Sequence, residues 1–272
     1  MFAPRQIKNA SGFTLIELIV VITIVGIIAY AGTDMISKPV RGYVDLARRI
    51  RLVDQAEMAM RRMQRDIRHA LPNSLRIDGT GKYLELLNTT EGGRYRRFAD
   101  PNPGGDDILD FTQPDTSFDV LGSLTNLPDP ATDRLVVYNF SASGNSGNAY
   151  DSVSQNSSAI AGATADSISL PAPGYQFQHM SPYQRFFVVD GPVTYACEGT
   201  QLNRYAGYPI ASGQLTPPGG TPAQVTGNVN GCSFRYAPGA SQRAGLVTLE
   251  LSLTEAGETI TLLHQVHVVN AP

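Results

Sequence analysis

Twenty residues from Phe13 to Gly32 form an apolar run that carries one charge, Glu17. At about 1.5 Å per residue, about 20 helical residues cover the roughly 30 Å hydrocarbon core of a bilayer. Strands cannot satisfy their backbone in lipid unless they close into a barrel, so this run predicts a membrane-spanning helix. A carboxylate near one end of such a helix costs a few kcal/mol in lipid and therefore predicts a functional partner. Arg5 and Lys8 precede the run, which puts that end in the cytoplasm and the bulk of the chain in the periplasm. Arg41, Arg48 and Arg49, just after the run, work against that orientation.

Residues 1–12 are polar, and the apolar segment follows them, the reverse of a secretory signal cut behind its apolar stretch. The junction Gly12-Phe13-Thr14-Leu15-Ile16-Glu17 resembles the prepilin cleavage and methylation motif of type IV pilins and type II secretion pseudopilins. That resemblance implies a leader peptide of residues 1–12, cleavage between Gly12 and Phe13 by a prepilin peptidase, and N-methylation of the new Phe13 amine. It also implies that Glu17 carries subunit docking. In a filament, Glu17 of one subunit would neutralise the Phe13 amine of its neighbour, turning two costly charges into one pair.

Beyond the span the helix is expected to continue to Leu71, with Pro39 as a bend. Leu46, Ile50, Val53, Ala56, Met60, Met63, Ile67 and Leu71 recur at helical spacing, and arginines occupy the other faces. The expected use of this stripe is packing on the protein's own sheet; the alternative is a seam to a partner subunit. Leu71-Pro72-Asn73-Ser74 ends the helix. The rest, 72–272, reads as a β-rich periplasmic head, since the chain is only 17% charged and holds 26 Gly and 18 Pro. The fold class is therefore α+β: a long N-terminal helix over 13–71, transmembrane at about 13–32, packed on an antiparallel sheet in the manner of pilins.

Within the head, 74–77 and 83–88 form a hairpin, 94–98 a further strand and 133–140 another. Ser141 to Asp166, rich in Ser, Gly and Asn, reads as an exposed insertion. Arg185–Val189 and Val193–Cys197 are expected to turn back on each other through Asp190-Gly191-Pro192. Leu246–Thr254 and Thr259–Val269 make the last hairpin. Cys197 and Cys232 would form one disulfide in an oxidising compartment, the alternative being two separate buried thiols.

The chemistry-bearing residues form no catalytic set. His69, His179, His264 and His267 are scattered, without zinc-protease, hydrolase or phosphate-loop motifs, so no enzyme, cofactor or metal is expected. Asp100 to Asp110 is acidic enough to raise calcium as a question but lacks the EF-hand order. After Gly12 the chain has 19 basic and 24 acidic residues, which argues against nucleic acid as a partner.

Further segments resemble the MshO-type minor pilins of the mannose-sensitive haemagglutinin (MSHA) pilus system. They are Val188 to Cys197, Leu202 to Tyr208 and Cys232 to Tyr236. Met60 to Ile67 is similar to J-type pseudopilins and W-type minor pilins. Major pilins usually carry a proline where this chain has Asp34, so the bend is expected at Pro39 instead. The resemblance implies a minor pilin of the inner membrane, later of the cell-surface pilus, that primes assembly or sits at the tip. Its implied partners are the prepilin peptidase and N-methyltransferase, other major and minor pilins, the inner-membrane assembly machinery and the bilayer. A minor pseudopilin of a secretion system and a pilus-tip adhesin, with Tyr205 and Tyr208 near a glycan site, are the alternatives.

Overall fold

The computed structural model describes residues 12–99, 107–239, 245–268 and 270. The chain divides into two units, Met1–Arg51 and Leu52–Pro272. One helix, α1 (Leu15–Arg68), is unbroken through Pro39. Glu17 lies in its first turn and Arg65 and Arg68 in its last, matching the helix dipole at both ends. Among the described residues thirteen strands follow: β1 (Arg76–Ile77), β2 (Tyr83–Tyr95), β3 (Ser117–Leu121), β4 (Arg134–Val137), β5 (Ser157–Ala159), β6 (Gly162–Ala163), β7 (Ser167–Ser169), β8 (Arg185–Glu198), β9 (Gln201–Tyr205), β10 (Ala223–Thr226), β11 (Val229–Ala237), β12 (Gly245–Glu255) and β13 (Glu258–Val268). The long helix followed by antiparallel sheet is the expected α+β, pilin-like plan.

The larger sheet runs β10-β9-β8-β2-β3-β7-β6, with β1 on β2 and β4 between β8 and β5. Its spine is the β2–β8 ladder, from Tyr83 opposite Ala196 to Arg94 opposite Arg185. This corrects two expectations. Residues 185–197 are one strand, because both halves pair with the same partner. Asp190-Gly191-Pro192 marks a bulge at Asn88–Thr89, bridged by a 2.9 Å hydrogen bond that Asn88 Nδ2 donates to Asp190 Oδ1. Gly191, at φ 130°, takes the conformation the bulge needs. Likewise, 83–88 and the start of 94–98 belong to a single strand, β2, which ends at Tyr95.

The smaller sheet is β11-β12-β13. β12 alternates buried and half-buried positions almost throughout. Its turn to β13 uses Ala256 and Gly257, both at positive φ, as a two-residue hairpin requires.

The main core lies among the C-terminal turns of α1 and the two sheets. Leu52, Ala56, Ala59, Met60, Met63 and Ile67 pack with Leu84, Leu86, Tyr195, Phe234, Leu249 and Leu251. Packing on the protein's own sheets is thus the use of the helix stripe from Leu52 onward. Leu46 and Ile50, expected in that stripe, are 57% and 54% exposed.

A second core, around Tyr95, Phe118, Phe177 and Phe186, contains no helix. Ile160, from the stretch expected to be an exposed insertion, is part of it. The same stretch buries Asn148, Ala149, Tyr150 and Asn156. Asn139 explains why so polar a segment packs. Its Nδ2 donates to Pro72 O at 2.7 Å, and its Oδ1 accepts from Ala149 N at 2.8 Å and Asn156 Nδ2 at 3.4 Å. A buried asparagine with donor and acceptor both used adds a polar anchor to the apolar burial of Ala149, Tyr150 and Ile160.

Candidate functional site

The N-terminus of α1 is built by four residues, Thr14-Leu15-Ile16-Glu17. Thr14 Oγ1 accepts from Glu17 N at 3.3 Å, and the Glu17 carboxylate accepts from Thr14 N at 3.3 Å and Thr14 Oγ1 at 3.2 Å. This reciprocal arrangement is a capping box, which satisfies backbone donors that the first helical turn leaves open. Leu18 N then donates to Thr14 O at 3.2 Å, closing the first turn. The sequence carries the signal for Thr14, a Thr three residues before a Glu ahead of an apolar run.

Phe13, directly before the cap, is 78% exposed. Beyond it the large apolar side chains from Leu15 to Ile28 are exposed, and the helix has a stretch long and apolar enough to cross a membrane. Thr23 fits the same environment: its hydroxyl lies 2.9 Å from the carbonyls of both Ile19 and Val20. The geometry therefore places an exposed Phe13 and an anchored Glu17 carboxylate within one turn, at the head of an apolar helix.

Residues 7–29 match the family model described as the prokaryotic N-terminal methylation motif. The N-terminus is thus of the prepilin type found in type IV pilin-like proteins. No curated protein and no solved structure matches the chain.

The other residues singled out from sequence lie in the head. Cys197 on β8 and Cys232 on β11 are joined by a disulfide, with Cα atoms 5.9 Å apart, so the bond staples the larger sheet to the smaller. Tyr205 and Tyr208, considered for a glycan, are buried. Tyr205 donates to Glu198 at 2.7 Å, and Tyr208 shares a 2.5 Å hydrogen bond with Thr194. They present no ring platform to solvent. His264 faces the core side of β13 half-buried, while His267 is exposed on the other. Asp100–Asp106 lie outside the described residues. Asp107 accepts from Ser117 Oγ, and Asp110 from Thr112. Among the described residues no group of three or more His, Cys, Asp or Glu is arranged to hold a metal.

Two polar clusters among the described residues, one buried around Glu85 and one half-buried around Asp66, had no sequence signal. Arg76 and Glu85 face each other across β1 and β2, 2.6 Å apart. The guanidinium also sits 3.7 Å over the Tyr150 ring and donates to Ser212 O and Ala211 O. Burial pushes the Glu85 carboxyl above its ordinary range, against the opposing pull of Arg76. The cluster borders a cleft of about 380 Å³ lined by Asp133, Arg134, Tyr150, Asp190 and Tyr208 among others. The second cluster joins Asp66 on α1 to Tyr195 and Arg204 on the sheet. In both, donors meet acceptors, so the groups hold strands and helix together.

Proposed function

We propose that this chain is a minor pilin, made as a precursor, cut between Gly12 and Phe13 and N-methylated at Phe13. The supporting observation is the conjunction of the methylation motif over residues 7–29 with Glu17 at the head of a span-length apolar helix. Before assembly the apolar helix rests in the inner membrane, with the head in the periplasm. During assembly it moves from lipid to filament core and keeps an apolar environment throughout. Glu17, at the head of that helix, pairs with the Phe13 amine of a neighbouring subunit, and the paired charges replace two isolated ones in a medium of low dielectric. The head's resemblance to MSHA-type minor pilins points to a subunit that primes or tips a pilus.

The test is mass spectrometry of the chain from cells with and without the prepilin peptidase, together with pilus counts for Glu17→Ala. The expected mature chain begins at N-methyl-Phe13, and Glu17→Ala lowers piliation or incorporation at least ten-fold while cleavage continues. Retention of residues 1–12 in both strains sinks the proposal. Loss of exoprotein release with piliation unchanged would move the chain to the secretion pseudopilins.

A further inference from the structure

A groove of about 500 Å³ runs between α1 and β10 in the head. Gln55, Met58, Ala59 and Arg62 form one wall, at the spacing of a single helix face, and residues 224–228 form the other. β10 ends the strand order of the larger sheet, so among the described residues its far side pairs with no strand. Successive residues of a strand point to opposite faces. A groove lined by Gln224, Val225 and Thr226 in succession therefore meets β10 edge-on. The register with β9 passes from Gln224–Asn203 to Thr226–Leu202, which leaves Val225 without a partner residue. Backbone N–H and C=O groups along such an edge can bond to an extended chain laid beside them.

The side chains of the groove decide what it takes. Arg62 is half-buried there and makes neither a hydrogen bond nor an ion pair among the described residues. The acids nearest it in sequence are engaged elsewhere, Glu57 by Arg61 at 2.9 Å and Asp66 by Arg204 at 2.8 Å. No acidic side chain lines the groove. A guanidinium drawn partly out of water without a counter-charge favours a carboxylate, which it can bind through two parallel hydrogen bonds. Met58, beside it, is 64% exposed, whereas Leu52, Met60, Met63 and Ile67 are buried. Its flexible thioether adapts to an apolar side chain. A small anion would use Arg62 and leave the strand edge and Met58 idle. A second copy pairing through its own β10, Ala-Gln-Val-Thr, would bring no acid to Arg62.

We propose that the groove binds an extended segment of another protein. That segment adds a strand to β10, rests an apolar side chain on Met58 and gives a carboxylate to Arg62. The groove lies wholly within the unit Leu52–Pro272, so its occupancy does not depend on processing at Gly12.

The test offers the full-length chain, in dodecyl maltoside micelles, a pool of end-blocked hexapeptides. They alternate Thr and Val and carry Glu, Asp, Gln or Asn at the third position. Retained peptides are read by mass spectrometry. The acidic members are expected to be retained about ten-fold over their amide counterparts. N-methylation of alternate backbone amides, which removes strand donors and keeps every side chain, is expected to abolish retention. Arg62→Gln erases the preference for acid and Arg62→Lys keeps part of it, while the Cys197–Cys232 disulfide still forms and reports a folded head. Met58→Glu, at an exposed position, reverses the preference without touching Arg62. Equal retention of acid and amide peptides, retention insensitive to N-methylation, or no peptide above empty micelles overturns the proposal.

Discussion

Tyr195 on β8 donates a 2.8 Å hydrogen bond to Asp66 on α1, across 129 positions of sequence, and Arg204 Nε donates to the same carboxylate oxygen at 2.8 Å. One acid of the helix thus fixes two neighbouring strands of the larger sheet. Burial, and then the Asp66 charge, push the Tyr195 hydroxyl well above its ordinary pKa, so it stays a donor at any physiological pH. Asp66→Ala leaves a phenol and a guanidinium without their acceptor and is expected to cost about 3 kcal/mol. Tyr195→Phe, which removes one donor and leaves the ion pair, costs about 1 kcal/mol. The chain contains no Trp, so urea denaturation followed by circular dichroism is the suitable measurement. Equal effects of the two substitutions would show that Asp66 is not shared.

Asn139 makes a second prediction. It is buried, and its side chain holds Pro72 O and Ala149 N, groups that no apolar substitute can serve. Asn139→Ala is expected to cost about 2–4 kcal/mol. Asn139→Asp sets a carboxylate oxygen against the Pro72 carbonyl in a buried site, so it is expected to cost at least as much. The loss should be local first. Limited proteolysis should cut within 141–156 in the Asn139→Ala chain and spare the wild type under the same conditions. Unchanged cleavage would mean the segment is anchored by other contacts, such as Tyr150 to Ser74.

These two residues also explain which parts of the fold were legible in sequence. The helix, β12 and β13 were, because each carries its own period, 3.6 or 2, and needs no knowledge of its neighbours. The β2–β8 ladder was not. Asp190-Gly191-Pro192 has the composition of a turn, and only the bulge opposite Asn88 shows why the chain runs straight. The packing of 141–166 is not legible because its few apolar anchors, Ala149, Tyr150 and Ile160, follow no period and the rest is held by hydrogen bonds. At the helix start, Gly12, Phe13 and Glu17 were legible as a motif, whereas the Arg76–Glu85 pair depends on a hairpin register. Leu46 and Ile50 share the spacing of the buried stripe, and spacing alone does not tell a covered position from an exposed one.

Glu85 predicts a pH dependence. Burial raises its pKa above the ordinary 4.5, with Arg76 opposing. For a raised carboxyl the folded state holds the proton more tightly than the unfolded chain. Its contribution is therefore fully present below pH 4.5 and is lost as pH rises through the folded value. Relative to Glu85→Gln, the wild type should lose stability as pH climbs from 4 towards neutrality. Paired melts of both chains at a series of pH values check this. A difference that grows in the opposite direction would mean that Arg76 outweighs burial.

Thr14 and Glu17 separate two uses of one carboxylate. Within the subunit, Glu17 closes the capping box on Thr14; in a filament it is proposed to face a neighbour's Phe13 amine. Thr14→Ala removes the hydroxyl contacts and weakens the helix start by about 1 kcal/mol. It leaves Glu17 chemically intact and freer to turn outward. If docking is the function of Glu17, Thr14→Ala should be incorporated into sheared pili within about two-fold of wild type. Glu17→Gln keeps a capping acceptor and loses the charge, and should fall at least ten-fold. Immunoblots of pili, with the mature N-terminus verified by mass, measure both. The reverse order, Thr14→Ala failing and Glu17→Gln assembling, would make the carboxylate a helix cap only.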